Sequence, residues 1–416
     1  MDALILAAGK GERMWPLTDT RPKVLLPAAG KTFLEWNILA LKEAGIRSAV
    51  IIVSDDRIEK ALGKSCYGVR LQYVLQSPPA GTGDAVLKAE GKVKPPFLCI
   101  NGDSLVNGKE VSRIIARHKA SGKNVLGVMK VDDISQFGEI LFSDTGLVSE
   151  IREKPPAPTS SFASCGIYAF TKEVFSALKR IKKSPRGEYE LTDALQLLAD
   201  EKKLYSVKVA FWKHLSYPWD LLEINEQILS SLKTKVNGTV EKGATLKGAV
   251  YVGKGALVKS GAYIEGPAYI GENATVGPNC FIRKSTSLGS GVRIGNAVEI
   301  KNSIIMDNTY ISHLTYVGDS VIGSNCNLGA GTVCANLRLD NGTCKAPVKG
   351  KLIDSRRRKL GLIMGDNSQT GIHSVINPGK FIGSNSIVAP GVQVTKNIPS
   401  NSFVSVTQNL EVKECS

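Results

Sequence analysis

Two sets of residues in this 416-residue chain have the types and spacing to do chemistry. The first lies at the N-terminus, where Leu6-Ala7-Ala8-Gly9-Lys10-Gly11-Glu12-Arg13 is followed by Arg21-Pro22-Lys23. Gly9 and Gly11 let the backbone come close to phosphates, whose oxygens accept its N–H groups, and Arg13 and Lys23 bring charge to a triphosphate. The residue order is neither the GxxxxGK[ST] of a P-loop nor the GxGxxG of a dinucleotide site. The second set surrounds His313, one of four histidines. It stands in Ser312-His313-Leu314-Thr315-Tyr316-Val317-Gly318-Asp319, ahead of Asn327-Leu328-Gly329-Ala330-Gly331-Thr332 and Asn336. An imidazole has the intrinsic pKa of a general base near neutral pH. His118 is expected on a surface helix, and His373 lies among polar neighbours without a motif.

Two architectures must position these residues. Up to about Lys235, short apolar runs (Ala3–Ala8, Ala49–Ser54, Phe97–Ile100) end in Gly, Asp or Asn and alternate with helix-length stretches such as Leu34–Ala44 and Ser112–Ala120. That alternation predicts an α/β, Rossmann-like domain over 1–235, with a mostly parallel sheet and ligands at the carboxyl ends of its strands. Pro218–Leu232 reads as a closing helix with proline near its start.

From residue 236 the period becomes six. Val240, Leu246, Val252, Val258, Ile264, Ile270, Val276, Ile282, Leu288, Ile294 and Ile300 are all aliphatic, and small or β-branched residues such as Ala244, Val250, Ala256, Ala262, Ala268 and Ala274 follow four places later. Gly253, Gly271, Gly277 and Gly295 come directly after an aliphatic position; the phase slips around Met306–Val317 and returns at Ile376, Ile382, Val388 and Val394. Each six residues make a strand and a turn, and three such units make a triangular coil. The aliphatics stack inward, and glycine permits the positive φ of the turns. This predicts a parallel β-helix over 236–416, resembling the left-handed coil of the hexapeptide acyltransferases. Asn336–Leu360 interrupts it with Lys345, Lys349, Lys351, Arg356, Arg357, Arg358 and Lys359 against Asp354. The interruption is either a solvated loop leaving the coil or a clamp for the phosphates of a substrate or of coenzyme A.

Composition narrows the partners. With 43% hydrophobic and 22% charged residues the chain is an ordinary globular one, and no apolar run nears the ~20 residues of a membrane helix. The short apolar N-terminus has no basic leader, so a cytoplasmic protein is expected, with no membrane partner. A formal charge of +15 calls for anions. Phosphorylated small molecules lead, because the chain has 6% aromatics and no nucleic-acid motif. Its eight cysteines are scattered, with no CxxC, and read as core residues in a reducing compartment.

The N-terminal pattern resembles the sugar-1-phosphate nucleotidylyltransferases, and the pattern around His313 resembles the acetyltransferase half of bifunctional N-acetylglucosamine-1-phosphate uridylyltransferases. Together the two likenesses run from Leu6 to about Thr395, which is the layout of the archaeal bifunctional enzymes. The resemblance implies nucleotide contacts at Ala8, Gly9, Gly11, Gln76, Gly81 and Thr82, with Arg13 and Lys23 catalytic. It implies sugar and phosphate contacts at Gly138, Glu153, Lys154 and Ser164, and a metal, Mg²⁺, at Asp103. For acetyl transfer it implies His313 as base, Arg283 and Lys301 on the sugar phosphate, Tyr316, Asn327 and Asn336 on the sugar, and Ala330 and Ala389 on acetyl-CoA. Acetyl-CoA and UTP or dTTP are the implied donors, an amino-sugar-1-phosphate the acceptor, and a homotrimer or dimer of trimers the assembly.

Two positions depart from the pattern. Ser164-Cys165-Gly166-Ile167-Tyr168 has Ser164 where the family has a sugar-binding asparagine. Trp212-Lys213-His214-Leu215-Ser216 has His214 where related enzymes have a second metal-binding carboxylate, and imidazole is a poorer ligand for Mg²⁺ than oxygen. Asp220 is expected at a helix N-terminus rather than on the metal. Three other readings compete: an acetyltransferase with an impaired first domain, a glucose-1-phosphate uridylyl- or thymidylyltransferase with a regulatory β-helix, and a non-catalytic assembly subunit. The last predicts joint loss of Arg13, Lys23 and Asp103, and all three are present.

Overall fold

The computed structural model describes residues 1–143 and 147–414. The chain forms two compact units. One comprises Met1–Lys10, Pro22–Leu25 and Thr32–Leu215; the other comprises Gly11–Arg21, Leu26–Lys31 and Ser216–Ser416.

The first unit is built on a ten-stranded sheet. Its centre is four parallel strands in the order Phe97–Asn101, Asp2–Leu6, Ser48–Val53 and Val69–Leu75. Leu4, Ile5, Ile51, Ile52, Leu98 and Ile100 are fully buried. Central strands of a parallel sheet are covered on both faces, so they read as continuous apolar runs. Phe162–Phe170 then runs antiparallel to Phe97–Asn101, and Gly138–Phe142 and Val148–Glu153 continue that edge. The mostly parallel sheet is thus a parallel core with an antiparallel flank.

Helix Phe33–Glu43 starts at a capping box, in which Thr32 and Glu35 each satisfy the other's backbone N–H. Helix Gly108–Ser121 starts at Asn107, whose side chain accepts from Glu110 N, and ends at Gly122 in the left-handed conformation. His118, expected on the surface of this helix, is buried instead. Its Nδ1 lies 2.7 Å from the Lys123 carbonyl oxygen, because the chain turns back at Gly122 and folds that carbonyl over the ring.

In the second unit the six-residue period becomes three parallel sheets of eight, nine and eight strands. The aliphatic positions from Val252 to Ile300 are inside and nearly all fully buried, with Ala256, Ala262, Ala268 and Ala274 packed beside them. The glycines after the aliphatic positions act differently from expectation. A Cβ on Gly253 or Gly295 would lie within 2.7 Å of the backbone of the next coil, so these glycines permit coil stacking rather than a positive φ. Positive φ falls on Gly277, on other turn glycines such as Gly255, Gly261 and Gly291, and on asparagines, among them Asn325, Asn367, Asn385 and Asn401, whose side chains hydrogen-bond one another in a ladder.

The phase slip also splits in two, on either side of the span where the sequence placed it. Ile282 pairs with Ile300 and Leu288 with Ile305, so the coil loses one residue between Ile300 and Ile305. It loses another between Val317 and Ile322. The insertion between Cys334 and Met364 leaves from the same edge. Three irregularities therefore share one corner.

Helix Asp220–Leu229 belongs to this unit because of Asn225, which is fully buried. Its Oδ1 accepts from Ala29 N at 2.8 Å and Ser287 Oγ at 2.7 Å, and its Nδ2 donates to Ser285 O at 2.9 Å. That locks helix, segment and coil together, and the unit's last and longest segment begins at Ser216, upstream of the change in periodicity at residue 236. Asp220 sits at the helix start as expected, accepting from Ser216 N and Tyr217 N. The segment Gly11–Arg21 also packs on the coil: Arg21 pairs with Asp366, and Trp15 lies against Phe381. Among the described residues no helix is long and apolar enough to cross a membrane.

Candidate active sites

In the first unit, the residues expected to handle nucleotide gather at the carboxyl ends of the parallel strands. Ala8 is buried just past Leu6, and a side chain on Gly9 would meet open space. Gly102 N donates to Leu6 O at 2.8 Å, and a Cβ on Gly102 would lie as close to that oxygen. Only glycine allows this approach, which carries Asp103 next to the end of the first strand. Lys23 is buried and its Nζ lies 2.8 Å from Asp103 Oδ2. His214 arrives by a two-residue antiparallel pairing in which it faces Ser104, and its Nδ1 is 3.8 Å from Asp103 Oδ1. Phe137 sets the imidazole by an edge contact, with ring centroids 5.4 Å apart.

Gln76 is buried one residue past its strand. Its Nε2 donates to Gly81 O at 3.0 Å and to Asp84 Oδ2 at 2.8 Å. Gly81 has φ +109°, and a Cβ there would lie 2.5 Å from Tyr189 O, so the turn needs glycine. Thr82 Oγ1 accepts from Leu191 N at 3.1 Å. Asp84 is the residue sequence reasoning missed: it fixes which end of the Gln76 amide points away. Its signal was the spacing in Gly81-Thr82-Gly83-Asp84, which places a carboxylate in the first turn of the helix Thr82–Leu87.

The residues expected to take the sugar also converge. A Cβ on Gly138 would stand 3.3 Å from Thr192 Cγ2, 3.5 Å from Glu153 Oε2 and 3.7 Å from Ser164 Cβ. Gly138, Glu153 and Ser164 thus line one small space, with Thr192 as an unforeseen fourth member. Lys154 Nζ is 3.0 Å from Glu153 Oε1. Ser164 Oγ is 3.1 Å from the Tyr168 hydroxyl, whose phenol burial holds well above its usual range. Glu190 lies close by, its carboxyl raised chiefly by burial and lowered in part by Arg186.

In the second unit, Gly11 has φ +68° and accepts from Thr18 Oγ1 at 3.0 Å, and the Arg13 guanidinium lies 5.6 Å from the Tyr217 ring centroid. Farther along, His313 lies exposed on the coil opposite Asn296, with Leu314 beside it at φ +48°. Asn327 faces outward, stacked on Tyr310. Ala330 is half-buried and its carbonyl accepts from His373 N at 2.8 Å, so His373 has a structural place. Ala389 N donates to Val404 O at 2.8 Å.

The corner with the irregular phase holds the remaining residues expected to serve acetyl transfer. Lys301 Nζ is 3.3 Å from Asp319 Oδ2, and Asn336 Nδ2 donates to the same oxygen at 2.6 Å and to the Tyr316 hydroxyl at 3.2 Å. Arg283 Nη1 is 2.9 Å from Glu299 Oε1. Burial, then the charges of Asp319 and Glu299, raise the Tyr316 phenol above its usual range. Asp319 and Glu299 were not singled out from the sequence. The lost residue in the repeat was their trace, since it marks where the coil departs from plain stacking.

The basic insertion leaves the coil with six of its seven named cations exposed to solvent, as one reading expected, and only Arg357 half-buried. It folds as an antiparallel hairpin of Lys345–Val348 with Lys351–Asp354. Arg356 N donates to Asp354 and Arg358 to Asn341, while Arg357 turns inward to Glu226 at 3.3 Å, with Asp319 Oδ1 4.0 Å away. The seven described cysteines are all free, and Cys415 lies outside the described residues. Among the described residues no three His, Cys, Asp or Glu side chains are grouped to hold a metal ion.

Comparison with known proteins agrees with this geometry. Residues 2–231 match the nucleotidyl transferase family, and residues 264–345 match the GMPPB C-terminal domain. The chain is 40% identical over 405 residues to "Bifunctional protein GlmU" of Methanocaldococcus jannaschii, covering 97% of each chain. It is 39% identical to the "Bifunctional sugar-1-phosphate nucleotidylyltransferase/acetyltransferase" of Sulfurisphaera tokodaii, over 98% of this chain and all of that one. A solved Bacillus anthracis structure, described as a glucose-1-phosphate thymidylyltransferase, superposes on 56% of this chain and 97% of its own at TM-score 0.52 and 27% identity. With a glycine-containing loop after the first strand of its parallel sheet, a hexapeptide coil carrying His313 and relatives alike over nearly their whole length, the chain belongs to the bifunctional sugar-1-phosphate nucleotidylyltransferase/acetyltransferase family.

Proposed function

We propose that this protein acetylates glucosamine-1-phosphate with acetyl-CoA and then transfers UMP from UTP, or dTMP from dTTP, to the product, releasing pyrophosphate. The observation that carries this reading is the gathering of Lys301, Tyr316 and Asn336 around one buried carboxylate, in a chain that also sets Lys23 on Asp103.

In acetyl transfer the sugar amine attacks the thioester carbonyl carbon while His313 takes the amine proton. A C–N bond forms, the tetrahedral oxyanion collapses, the C–S bond breaks, and the thiolate leaves to be protonated as free coenzyme A. Arg283 and Lys301 hold the sugar phosphate, Tyr316, Asn327 and Asn336 orient the sugar, and Ala330 and Ala389 line the acetyl-CoA path. The outward faces of Tyr263, Tyr310, Leu314 and Val333 suit packing of coils side by side, which supports a homotrimer or a dimer of trimers.

In nucleotidyl transfer a phosphate oxygen of the sugar phosphate attacks the α-phosphorus in line, and the bond to pyrophosphate breaks. Ala8, Gly9 and Gly11 offer backbone to the phosphates, and Arg13 and Lys23 balance their charge. Gly138, Glu153, Lys154 and Ser164 take the sugar. With the Gln76 amide nitrogen committed to Asp84 and Gly81, its oxygen is the end that reads a base. An acceptor there suits the N3–H of uracil or thymine. The Asp103 carboxylate with the His214 imidazole suits a divalent cation that takes its other ligands from phosphate and water, Mg²⁺ among them, and such an ion offsets phosphate charge when bound. Reducing-compartment cysteines and phosphorylated substrates support a cytoplasmic place.

The test supplies glucosamine-1-phosphate, acetyl-CoA, UTP and Mg²⁺ to purified protein and follows free thiol and pyrophosphate separately. Release of both supports the reading; thiol alone leaves an acetyltransferase with an impaired first domain, and no thiol here, with pyrophosphate released in a parallel assay of glucose-1-phosphate and UTP, leaves a nucleotidylyltransferase with a regulatory coil.

A further inference from the structure

Asp319 is 3% exposed and is buried among donors rather than apolar side chains. Its Oδ1 accepts from Asn302 Nδ2 at 2.8 Å. Its Oδ2 accepts from Asn336 Nδ2 at 2.6 Å and from Lys301 Nζ at 3.3 Å. The Arg357 guanidinium stands 4.0 Å from Oδ1 and is shared with Glu226. A buried carboxylate is tolerated only when such partners replace its water, so the four side chains and the charge depend on one another.

The backbone is shaped to put this carboxylate there. Asp319 has φ +49°, a conformation that aspartate and asparagine tolerate better than other side chains. It lies in the second of the two places where the coil gives up a residue, and Asn302 and Lys301 lie in the first. Shortening both coils brings Lys301 and Asp319 into register, as Asp319 N donates to Lys301 O at 2.9 Å. The insertion that returns Arg357 leaves from that same corner. A coil needing only stability would have kept its period.

We infer that Asp319 is the positioning residue of the amino-sugar-phosphate site. It holds Lys301 and Asn336 in place, and it draws Arg357, alone among the insertion's three consecutive arginines, into the site as a further phosphate-binding cation. This rests on the acetyl-transfer reading above. Lys301 held on a carboxylate is a cation fixed in direction, and an incoming phosphate meets Lys301 and Arg357 already placed instead of having to collect two flexible side chains. Asp319 and Glu226 balance the two cations until then, so what the corner offers a dianion is two cations already fixed in place.

The test is steady-state acetylation by the full chain, with nucleotidyl transfer from UTP to N-acetylglucosamine-1-phosphate measured alongside. Asp319→Asn keeps the shape and the tolerance for positive φ while removing the charge. It should raise the KM for glucosamine-1-phosphate roughly tenfold, with the KM for acetyl-CoA and the nucleotidyl transfer rate unchanged. Arg357→Gln should raise the same KM several-fold, and Arg356→Gln should not move it. A merely structural role lowers the melting temperature without separating the two KM values. An unchanged KM for glucosamine-1-phosphate in Asp319→Asn, or equal effects of Arg356→Gln and Arg357→Gln, overturns the inference. Wild-type protein without any acetyl transfer overturns the underlying reading and this inference with it, whereas acetyl transfer that His313→Ala abolishes but Asp319→Asn leaves untouched overturns this inference alone.

Discussion

Lys23 Nζ lies 2.8 Å from Asp103 Oδ2, in a place where the ammonium is nearly out of solvent. The pair joins a cation from the phosphate signature to a carboxylate at the end of the neighbouring parallel strand. It fixes both side chains before nucleotide arrives, and removing Asp103 would take this carboxylate away from an ammonium that is nearly out of solvent.

Lys23→Met should therefore lower nucleotidyl transfer by about 10²–10³-fold, the cost of losing one preorganised charge-stabilising donor. Acetyl transfer should stay within about twofold, since His313 lies on a separate compact unit. Following pyrophosphate and thiol release in parallel checks both halves. Equal loss of the two activities would count against Lys23 as a nucleotidyl-transfer residue.

His214 faces the other oxygen of Asp103 from 3.8 Å, farther than a hydrogen bond reaches. Imidazole nitrogen favours Mn²⁺ or Co²⁺ more than carboxylate oxygen does, relative to Mg²⁺. His214→Asp should shift the ratio of Mg²⁺- to Mn²⁺-supported nucleotidyl transfer toward Mg²⁺ by roughly tenfold. Binding of Mn²⁺ followed by its paramagnetic resonance should show nitrogen coupling in the native chain that the variant lacks. The same coupling in both would remove His214 from the metal. A chelator should stop pyrophosphate release and leave thiol release intact.

What the sequence made legible here divides along physical lines. The inward aliphatics from Val240 to Ile300 repeat at fixed spacing, and a repeat is a local property that survives without coordinates. The phosphate signature is equally local, so Ala8, Gly9 and Lys23 could be placed at a strand's end. Thr192, Glu299 and Asp319 were hidden because their roles come from partners many residues away, as when Asn336 reaches Asp319 across a coil, whereas Asp84 was missed although Gln76 is only eight residues from it. The Ile300–Ile305 shortening was misplaced for a related reason. A single missing residue shifts every later position, and only strand pairing shows where the loss occurred.

His313→Ala should abolish acetyl transfer, with a loss of about 10²–10⁴-fold, the usual worth of a general base. Pyrophosphate release from N-acetylglucosamine-1-phosphate and UTP should be unaffected. Because His313 is exposed on the coil and its carbonyl, not its ring, accepts from Thr315 Oγ1 at 2.7 Å, the substitution keeps that turn. Retained acetylation would return His313 to the surface.

The pH dependence of the sugar site follows from Tyr316. Burial and the charges of Asp319 and Glu299 hold its phenol above the usual 10.0, so the neutral hydroxyl persists where an exposed tyrosine is already ionising. An ionised Tyr316 would repel the sugar phosphate. The ratio of KM for glucosamine-1-phosphate between Tyr316→Phe and native protein should thus stay flat from about pH 7 to about pH 10. A ratio falling as pH approaches 10 would mean that the phenolate forms in that range and that burial does not govern the group.

Ile300 tests whether the coil's core and its chemistry are linked. It is fully buried and stacks in register between Ile282 and Val317, immediately before Lys301 and the first shortening. Ile300→Val removes one methyl group and should cost about 0.5–1.5 kcal/mol, whereas Ile300→Ala leaves a cavity and should cost about 2–5 kcal/mol. A β-helix passes such a defect to its neighbouring coils, so Lys301 should lose its alignment with Asp319 before the whole coil melts. In Ile300→Ala the KM for glucosamine-1-phosphate should rise at temperatures where far-ultraviolet circular dichroism still reports intact strands, with Ile300→Val lying between it and the native chain. Loss of sugar-phosphate affinity only in step with loss of strand signal would show that the corner is held independently of the stack beneath it.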